Sequence, residues 1–277
     1  MADILDEIVA NKRVELAIAE NEMSLSYLKE LVAQKIERDG ALKLRSMKAS
    51  LAASRSGIIA EFKRKSPSKG WIHADVEPEQ VVPLYAEGGA SASSILTDEK
   101  YFGGNLGYIQ RLRPLVNIPL LRKEFIIDEY QLYEARLVGA DAVLLIAADL
   151  FPQQYGELCR TAHALGLEVL LEVHDPKELD YLQVEIPDML GVNNRALGTF
   201  HTDVQHSFEI AAAMQASVCH LSDDQKPLLI SESGISNPQV VKQLREAGFR
   251  GFLIGECFMK ESDPGLALKE FIQQVEA

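Results

Sequence analysis

The chain has 277 residues, of which 47% are hydrophobic and 25% are charged, a balance typical of a globular protein with a sizeable core. This length suits one α/β barrel, which needs about 250 residues, or two smaller domains. The net charge of −13 disfavours nucleic acid and anionic lipid as partners. An anionic substrate would therefore need a local cluster of Lys and Arg.

Three cysteines, Cys159, Cys219 and Cys257, lie far apart and show no paired-thiol spacing, so we expect neither a disulfide framework nor a metal site. The first residues lack a secretory apolar run, and no stretch approaches the ~18 apolar residues of a membrane span. The sequence therefore predicts a cytoplasmic protein without a membrane partner.

Residues 1–50 are predicted to form one or two helices ahead of the main fold. Apolar residues such as Ile4 and Ile8, and later Leu28, recur at helical spacing. We expect these helices to pack on the rest of the chain. The segment 35–55 is rich in Lys and Arg, and we expect it to lie on the surface.

From about residue 57 onward, the chain alternates short apolar runs with amphipathic helices. The runs span 56–62, 91–97, 118–123, 141–147, 167–173, 188–193, 226–231 and 251–256. This alternation indicates a parallel sheet, and eight units favour a closed (β/α)8 TIM barrel over an open doubly wound sheet. No G-x-G-x-x-G follows the first run to support the open sheet. We therefore expect a single domain over 1–277, with a helical extension over 1–50 and the barrel over 56–277.

Charged residues at the ends of the runs are the candidate site residues, because the active sites of such barrels lie at the carboxyl ends of the strands. Glu61 and Lys63 end the first run two residues apart and so share one face of the strand. Burying both is costly unless they pair or act on a ligand. A structural ion pair beside a solvated basic loop is the alternative.

Three further runs carry unusual polar residues. Lys123 ends the third run. It has either a functional role or none, in which case its ammonium extends from the barrel rim into water. Glu172 interrupts the apolar fifth run, where the alternative is a core carboxylate paired with Lys123. Asn193 and Arg195 end the sixth run, and an arginine here would either bind a phosphate or lie in an exposed loop.

Glycines follow the last two strands. Gly234 and Gly255 stand where the phosphate site of such barrels forms, in the loops after the seventh and eighth strands. Glycine lets backbone N–H groups approach a phosphate closely. Two such glycines at these strands predict a phosphorylated small-molecule substrate.

The ordered motifs resemble the indole-3-glycerol-phosphate synthase family over essentially the whole chain. They are IIAEFKRKSPSKG (58–70), SILT (94–97), YFGG (101–104), LRKEFI (121–126), LEV (171–173), GVNNR (191–195), SESGI (231–235) and FLIG (252–255). The resemblance implies an enzyme, a carboxy-lyase of tryptophan biosynthesis. Its reaction converts 1-(2-carboxyphenylamino)-1-deoxyribulose 5-phosphate into indole-3-glycerol phosphate, CO2 and water.

The resemblance also implies roles for the polar residues at the strand ends. Lys123 would protonate the ketose oxygen as the aromatic carbon attacks, and Glu172 would stabilise the cationic nitrogen or accept a proton. Lys63 would bind substrate anions and serve as the acid of the dehydration. Glu61 would act as a base or orient the lysines. No cofactor is implied, because decarboxylation restores aromaticity without an electron sink.

The remaining site residues are assigned by the same resemblance. Asn193 and Ser233 would position polar groups of the substrate. The phosphate would bind to Ser66, Arg195, Gly234 and Gly255, and the anthranilate ring would contact Phe102, Phe125 and Leu144. Glu232 and Glu256 would make further substrate contacts. Glu256 departs from the family, in which many members carry a small hydroxyl residue at this position. We expect its side chain to turn away from the phosphate and only its N–H to contribute.

Other functions remain open at this point. A phosphoribosylanthranilate isomerase would use Cys and Asp as its acid and base, yet no Cys lies at the end of the first strand. A ketose-phosphate epimerase is a further possibility, as is an inactive barrel that binds a ligand. We expect a monomer or a weak homo-oligomer.

Overall fold

The computed structural model describes residues 4–38, 44–196 and 201–277. Within them, eight parallel strands close into a barrel, in which each strand pairs with its neighbours along the chain and the last strand pairs with the first. The barrel strands are β1 (Ile58–Phe62), β4 (Ala92–Leu96), β5 (Leu120–Lys123), β6 (Ala142–Ile146), β7 (Glu168–Val173), β8 (Met189–Asn193), β9 (Leu228–Glu232) and β10 (Gly251–Ile254), and the loop after β1 holds the hairpin β2 (Lys65–Ser66) and β3 (Gly70–Trp71). Closure confirms the predicted TIM barrel and excludes the open sheet.

Helices cover the outside of the barrel. They are α4 (Pro78–Glu87), α5 (Gly107–Leu112), α6 (Glu129–Val138), α7 (Pro152–Ala164), α8 (Gln205–Val218), α9 (Pro238–Glu246), α10 (Glu256–Met259) and α11 (Pro264–Glu276), with 3-10 helices at Ala147–Asp149 and Pro176–Gln183. Local sequence signals set several helix starts. Asn237 accepts a hydrogen bond from the N–H of Gln239, and Asp263 accepts one from Leu266. Each cap precedes a proline at the first helical position, where a missing N–H costs nothing.

The N-terminal extension contains three described helices, α1 (Ile4–Glu22), α2 (Leu25–Arg38) and α3 (Met47–Ala53), one more than the upper number expected. Met47 and Leu51 of α3 are fully buried. They pack with the inward-facing side chains of the barrel, including Ile59 and Ile230. The expectation that 35–55 lies on the surface is therefore wrong for these two residues, because they fill the amino-terminal end of the barrel. Residues 39–43 of that segment lie outside the described part.

Parallel pairing places the carboxyl ends of all barrel strands at one rim. The register pairs Glu61 with Ser94, Glu172 with Gly191, and Asn193 with Glu232. Polar residues that are far apart in the sequence are thereby brought to one end of a barrel whose interior is otherwise apolar. In the described residues, no helix is long and apolar enough to cross a bilayer.

Candidate active site

A cavity of about 530 Å³ opens at the carboxyl rim of the barrel, a size that suits a small-molecule ligand. Nearly all the site residues expected from the sequence line it. These are Glu61, Lys63, Phe102, Lys123, Phe125, Leu144, Glu172, Asn193, Arg195, Glu232, Ser233, Gly234, Gly255 and Glu256. Ser66 is the exception: it is buried in the adjacent hairpin, and its hydroxyl has no hydrogen-bond partner among the described residues.

Lys123 lies at the centre of a group of buried carboxylates. Its Nζ is 2.7 Å from Oε2 of Glu172 and 3.1 Å from Oε2 of Glu232. Burial alone would lower the pKa of Lys123, but the attraction of Glu172, Glu232 and Glu61 outweighs it and raises that pKa. The ammonium is therefore charged at neutral pH and has a proton to give.

The two carboxylates around Lys123 have different protonation behaviour. Burial would raise the pKa of Glu172, but Lys123 and His174 outweigh this effect and lower it, and Asn193 donates to its Oε1 at 3.0 Å. Burial raises the pKa of Glu232, and the repulsion from Glu172 adds to this rise against the opposing effect of Lys123. When two carboxylates share one cation, their mutual repulsion moves the two pKa values apart in this way. Glu172 is the ionised member, and Glu232 is the member that binds a proton more readily.

A second acid–base pair lies at the carboxyl end of β1. The Nζ of Lys63 donates to Oε1 of Glu61, and both side chains are largely buried. A Cβ at Gly255 would collide with Oε1 of Glu61, so only glycine leaves room for this carboxylate. The two side chains thus share one face, as their spacing predicted, and they form the ion pair that the sequence left open as the alternative, within the same cavity as Lys123.

Apolar side chains form one wall of the cavity. The rings of Phe102 and Phe125, from the loops after β4 and β5, lie with their centroids 6.0 Å apart. Leu144 and Ile146 of β6 line the same cavity. An aromatic ligand would find here the tilted ring contacts that aromatic pairs favour.

The opposite side of the cavity has exposed backbone and positive charge. Ser233 adopts a φ of 69°, the only positive φ of a non-glycine residue in the described ranges, and Gly234 follows with a φ of 76°. Strained backbone of this kind concentrates at functional sites. Arg195 also lines this side.

The side chain of Glu256 was expected to turn away from the phosphate, but it lines this side of the cavity. Its Oε1 accepts a hydrogen bond from Nζ of Lys69 at 2.5 Å, across the mouth of the cavity. Burial would raise the pKa of Glu256, but Lys69, Lys63 and Arg195 outweigh it and lower that pKa. A carboxylate therefore lies among the cations that an anionic ligand would use.

Several lining residues were not predicted as site residues from the sequence. Ile4, Leu5 and Ile8 of α1 reach the mouth of the cavity, as does Lys69. The helical spacing of the three apolar residues predicted a packed helix but could not indicate which part of the barrel it contacts. Within 4–38, 44–196 and 201–277, no cluster of three or more His, Cys, Asp or Glu residues is arranged to hold a metal ion.

Solved structures with the same fold are distant in sequence. A 3-hexulose-6-phosphate synthase matches 79% of this chain and 99% of its own at a TM-score of 0.59 and 13% identity. A mutant tryptophan synthase alpha-subunit from Pyrococcus furiosus matches 79% of this chain and 97% of its own at a TM-score of 0.58 and 12% identity. At such identities, the likeness supports the barrel fold alone.

Sequence relatives are much closer. The family profile described as indole-3-glycerol phosphate synthase matches residues 5–271. An indole-3-glycerol phosphate synthase from Bacteroides thetaiotaomicron is 55% identical over 276 residues, covering 100% of both chains. One from Polaromonas naphthalenivorans is 41% identical over 98% of both chains. The resemblance drawn from the motifs is confirmed, and the chain belongs to the indole-3-glycerol phosphate synthase family.

Proposed function

We propose that the chain converts 1-(2-carboxyphenylamino)-1-deoxyribulose 5-phosphate into indole-3-glycerol phosphate, with release of CO2 and water. The observation that carries this proposal is the charged Lys123, held by Glu172 and Glu232 in a cavity with an aromatic wall. This reaction needs a proton donor at a ketone, a negative charge near a nitrogen and a surface for an aromatic ring. All three lie within one cavity.

Ring closure comes first. The ring carbon that bears the carboxylate attacks the ketose carbonyl carbon, and Lys123 donates a proton to the carbonyl oxygen as the C–C bond forms. Positive charge develops on the anilino nitrogen, and the ionised Glu172 stabilises it. A positioned general acid of this kind contributes about 10²–10⁴-fold to the rate.

Decarboxylation and dehydration follow. The electron pair of the bond to the carboxylate returns to the ring and neutralises the nitrogen as CO2 leaves, so no cofactor is needed. Lys63 then protonates the hydroxyl group, which departs as water. Glu61 accepts the proton lost from the neighbouring carbon, which completes the indole. Solvent reprotonates Lys123.

The phosphate is assigned to the side of the cavity opposite the phenylalanines. Arg195 supplies positive charge, and the backbones of Gly234 and Gly255 supply N–H donors. Ser66 is part of this proposal through the family resemblance alone, because its buried hydroxyl does not line the cavity. With the phosphate and the ring held at opposite sides, the two reacting carbons are kept together, which contributes on the order of 7 kcal/mol or more.

The direct test incubates the purified protein with the carboxyphenylamino substrate and follows indole fluorescence together with CO2 release. We expect both signals at micromolar enzyme. Their absence would overturn the assignment. An isomerase or epimerase would give neither signal, so the same assay separates the alternatives left open by the sequence.

We further propose that the chain acts in the cytoplasm as one domain and as a monomer or a weak homo-oligomer. Support for the oligomeric state comes from the large exposed apolar side chains, most of which lie on different elements, as with Trp71, Leu115 and Phe151, although Val14 and Ile18 lie one turn apart on α1. Scattered single residues of this kind do not make an interface. Light scattering across a concentration series tests the oligomeric state, and a stable dimer at nanomolar concentration would contradict the proposal.

A further inference from the structure

Lys12 of α1 is a buried cation that the proposed reaction does not use. Its side chain is 6% exposed, and its Nζ lies 3.1 Å from Oδ2 of Asp98, 3.1 Å from Oε1 of Glu124 and 2.6 Å from Oε2 of Glu15. Asp98 and Glu124 are themselves buried. A fully buried lysine is uncommon unless it is paired, and this one joins two loops of the barrel rim to the N-terminal extension.

The two barrel carboxylates that bind Lys12 also hold the backbone of cavity-lining loops. Oδ1 of Asp98 accepts N–H bonds from Tyr101 at 2.8 Å and Phe102 at 3.2 Å. Oε1 of Glu124 accepts the N–H of Phe125 at 2.9 Å. The two phenylalanines that form the aromatic wall are thus fixed by the two carboxylates that share the Lys12 ammonium.

Glu124 is held from the barrel side as well. Its Oε2 accepts a hydrogen bond from the hydroxyl of Thr97 at 2.7 Å, and it directly follows Lys123 in the chain. Further contacts tie α1 to the loop after β4, because the hydroxyl of Tyr101 donates to Glu7 at 3.0 Å. The ammonium of Lys12 is the only charge among the described contacts that compensates both Asp98 and Glu124 at close range.

We propose that Lys12 is a positioning residue that holds the Phe102–Phe125 wall in place for the aromatic ring of the substrate. Without its ammonium, Asp98 and Glu124 would repel each other across the gap and draw in water, and the loops that carry the two phenylalanines would separate. This inference rests on the proposed function for the identity of the ring. The contacts that join Lys12 of α1 to the loops of Phe102 and Phe125 do not depend on the proposed function.

The test uses Lys12→Met, which keeps the length of the side chain and removes the charge. Lys29→Met is the matched control. Lys29 also ties the extension to the barrel through an ion pair, with Glu129 of α6 at 3.1 Å, but it is partly exposed and, among the described contacts, pairs with neither Asp98 nor Glu124. If Lys12→Met does not fold, Lys12→Gln takes its place, because it also removes the charge and leaves Asp98 and Glu124 unchanged while keeping an N–H donor.

The first readout is hydrogen exchange at the amides of Tyr101, Phe102 and Phe125. We expect at least tenfold faster exchange in Lys12→Met and no change in Lys29→Met. The second readout is the dissociation constant of two probes, measured by isothermal titration calorimetry, with anthranilate for the ring side and inorganic phosphate for the other side. We expect anthranilate to bind at least tenfold more weakly to Lys12→Met, and phosphate to bind within twofold of the wild type.

The outcomes separate the two proposals. Unchanged exchange at these amides, or an equal loss of anthranilate and phosphate binding, would overturn the role of Lys12. A lower melting temperature with unchanged exchange and unchanged anthranilate binding would do so too, because it would show a purely structural role. Faster exchange with weaker anthranilate binding supports the role of Lys12, even if the wild-type chain fails to form indole from the carboxyphenylamino substrate. That failure would count against the proposed function alone.

Discussion

The carboxylate of Glu232 occupies the space that a side chain at Gly191 would need. A Cβ at Gly191 would collide with Oε1 of Glu232 and lie 3.1 Å from Cδ1 of Leu170. Glycine at this position of β8 therefore lets the carboxylate on β9 reach Lys123. The two neighbouring strands thus fix the position of one of the two carboxylates that bind the proposed acid.

This relationship predicts the effect of Gly191→Ala. The added methyl group pushes the carboxylate of Glu232 away from Lys123, so we expect turnover to fall about tenfold or more, equivalent to at least ~1.4 kcal/mol. We also expect destabilisation of roughly 1–3 kcal/mol from overpacking. Steady-state kinetics and denaturant unfolding measure the two effects.

The double variant Gly191→Ala/Glu232→Ala provides the control for the collision. Shortening Glu232 makes space for the new methyl group, so the double variant should unfold at a higher denaturant concentration than the sum of the two single changes implies. Strict additivity of the two effects on stability would argue against a collision, because residues in contact do not behave independently.

A second prediction concerns the dependence of stability on pH. Burial raises the pKa of Glu232 above its ordinary value of 4.5, so the folded chain binds this proton more tightly than the unfolded chain. Stability contributed by this group is therefore present at low pH and is lost as pH rises from the ordinary pKa towards the raised one. Glu232→Gln removes the titration, so the variant gains stability relative to the wild type as pH rises, at the expense of activity.

Thermal unfolding at about pH 5 and about pH 8 measures this gain in stability. In a chain of this size, each kcal/mol in the free energy of unfolding shifts the melting temperature by roughly 2–4 °C. Glu270→Gln is the control, because Glu270 is an exposed carboxylate on α11. Its melting temperature should follow that of the wild type at both pH values. A difference between Glu232→Gln and the wild type that shrinks with rising pH would contradict the raised pKa.

A third prediction concerns Glu256, whose carboxylate lies near Lys69, Lys63 and Arg195. Glu256→Gln removes a negative charge from the side of the cavity assigned to phosphate. The repulsion between unit charges at 4 Å in water is about 1 kcal/mol. We therefore expect inorganic phosphate to inhibit the variant at a roughly fivefold lower concentration than the wild type.

The charge-matched control is again Glu270→Gln, which changes the net charge equally but does not line the cavity. Its phosphate inhibition constant should equal that of the wild type. Equal inhibition of Glu256→Gln and the wild type would place the phosphate elsewhere. Raised salt should reduce the difference between Glu256→Gln and the wild type, because this part of the cavity is open to solvent.

Much of the site was predictable because the barrel imposes a simple geometric rule. Parallel strands end at one rim, so Glu61, Lys123 and Glu172 could be placed together from the order of the apolar runs alone. The alternative reading of Glu172 as a carboxylate paired with Lys123 is compatible with the observed distance of 2.7 Å, because pairing and a catalytic role do not exclude each other.

The contributions of the N-terminal helices were less predictable. Helical spacing identified α1 and α2, yet it carries no information about which side of a barrel a helix packs against. The burial of Lys12 depends on Asp98 and Glu124, which are far away in the sequence. Likewise, Met47 and Leu51 lie in a basic segment whose composition resembles a surface, and only packing against the barrel interior explains their burial.

The orientation of Glu256 was also beyond the sequence. We expected Glu256 to turn away because a phosphate would repel its carboxylate. In the structure, the hairpin after β1 brings the ammonium of Lys69 across the cavity mouth, and this cation attracts the carboxylate. An ion pair between side chains 187 positions apart depends on loop conformation, which residue spacing does not encode.

The central claim is that Lys123 delivers the proton that drives ring closure. Lys123→Met tests it most directly, by single-turnover measurement of CO2 release alongside the dissociation constant of the carboxyphenylamino substrate. Once folding of the variant is verified by its circular dichroism spectrum, we predict a rate at least about 10²-fold lower, with substrate affinity within about tenfold of the wild type. A rate of CO2 release close to that of the wild type would remove Lys123 from the mechanism.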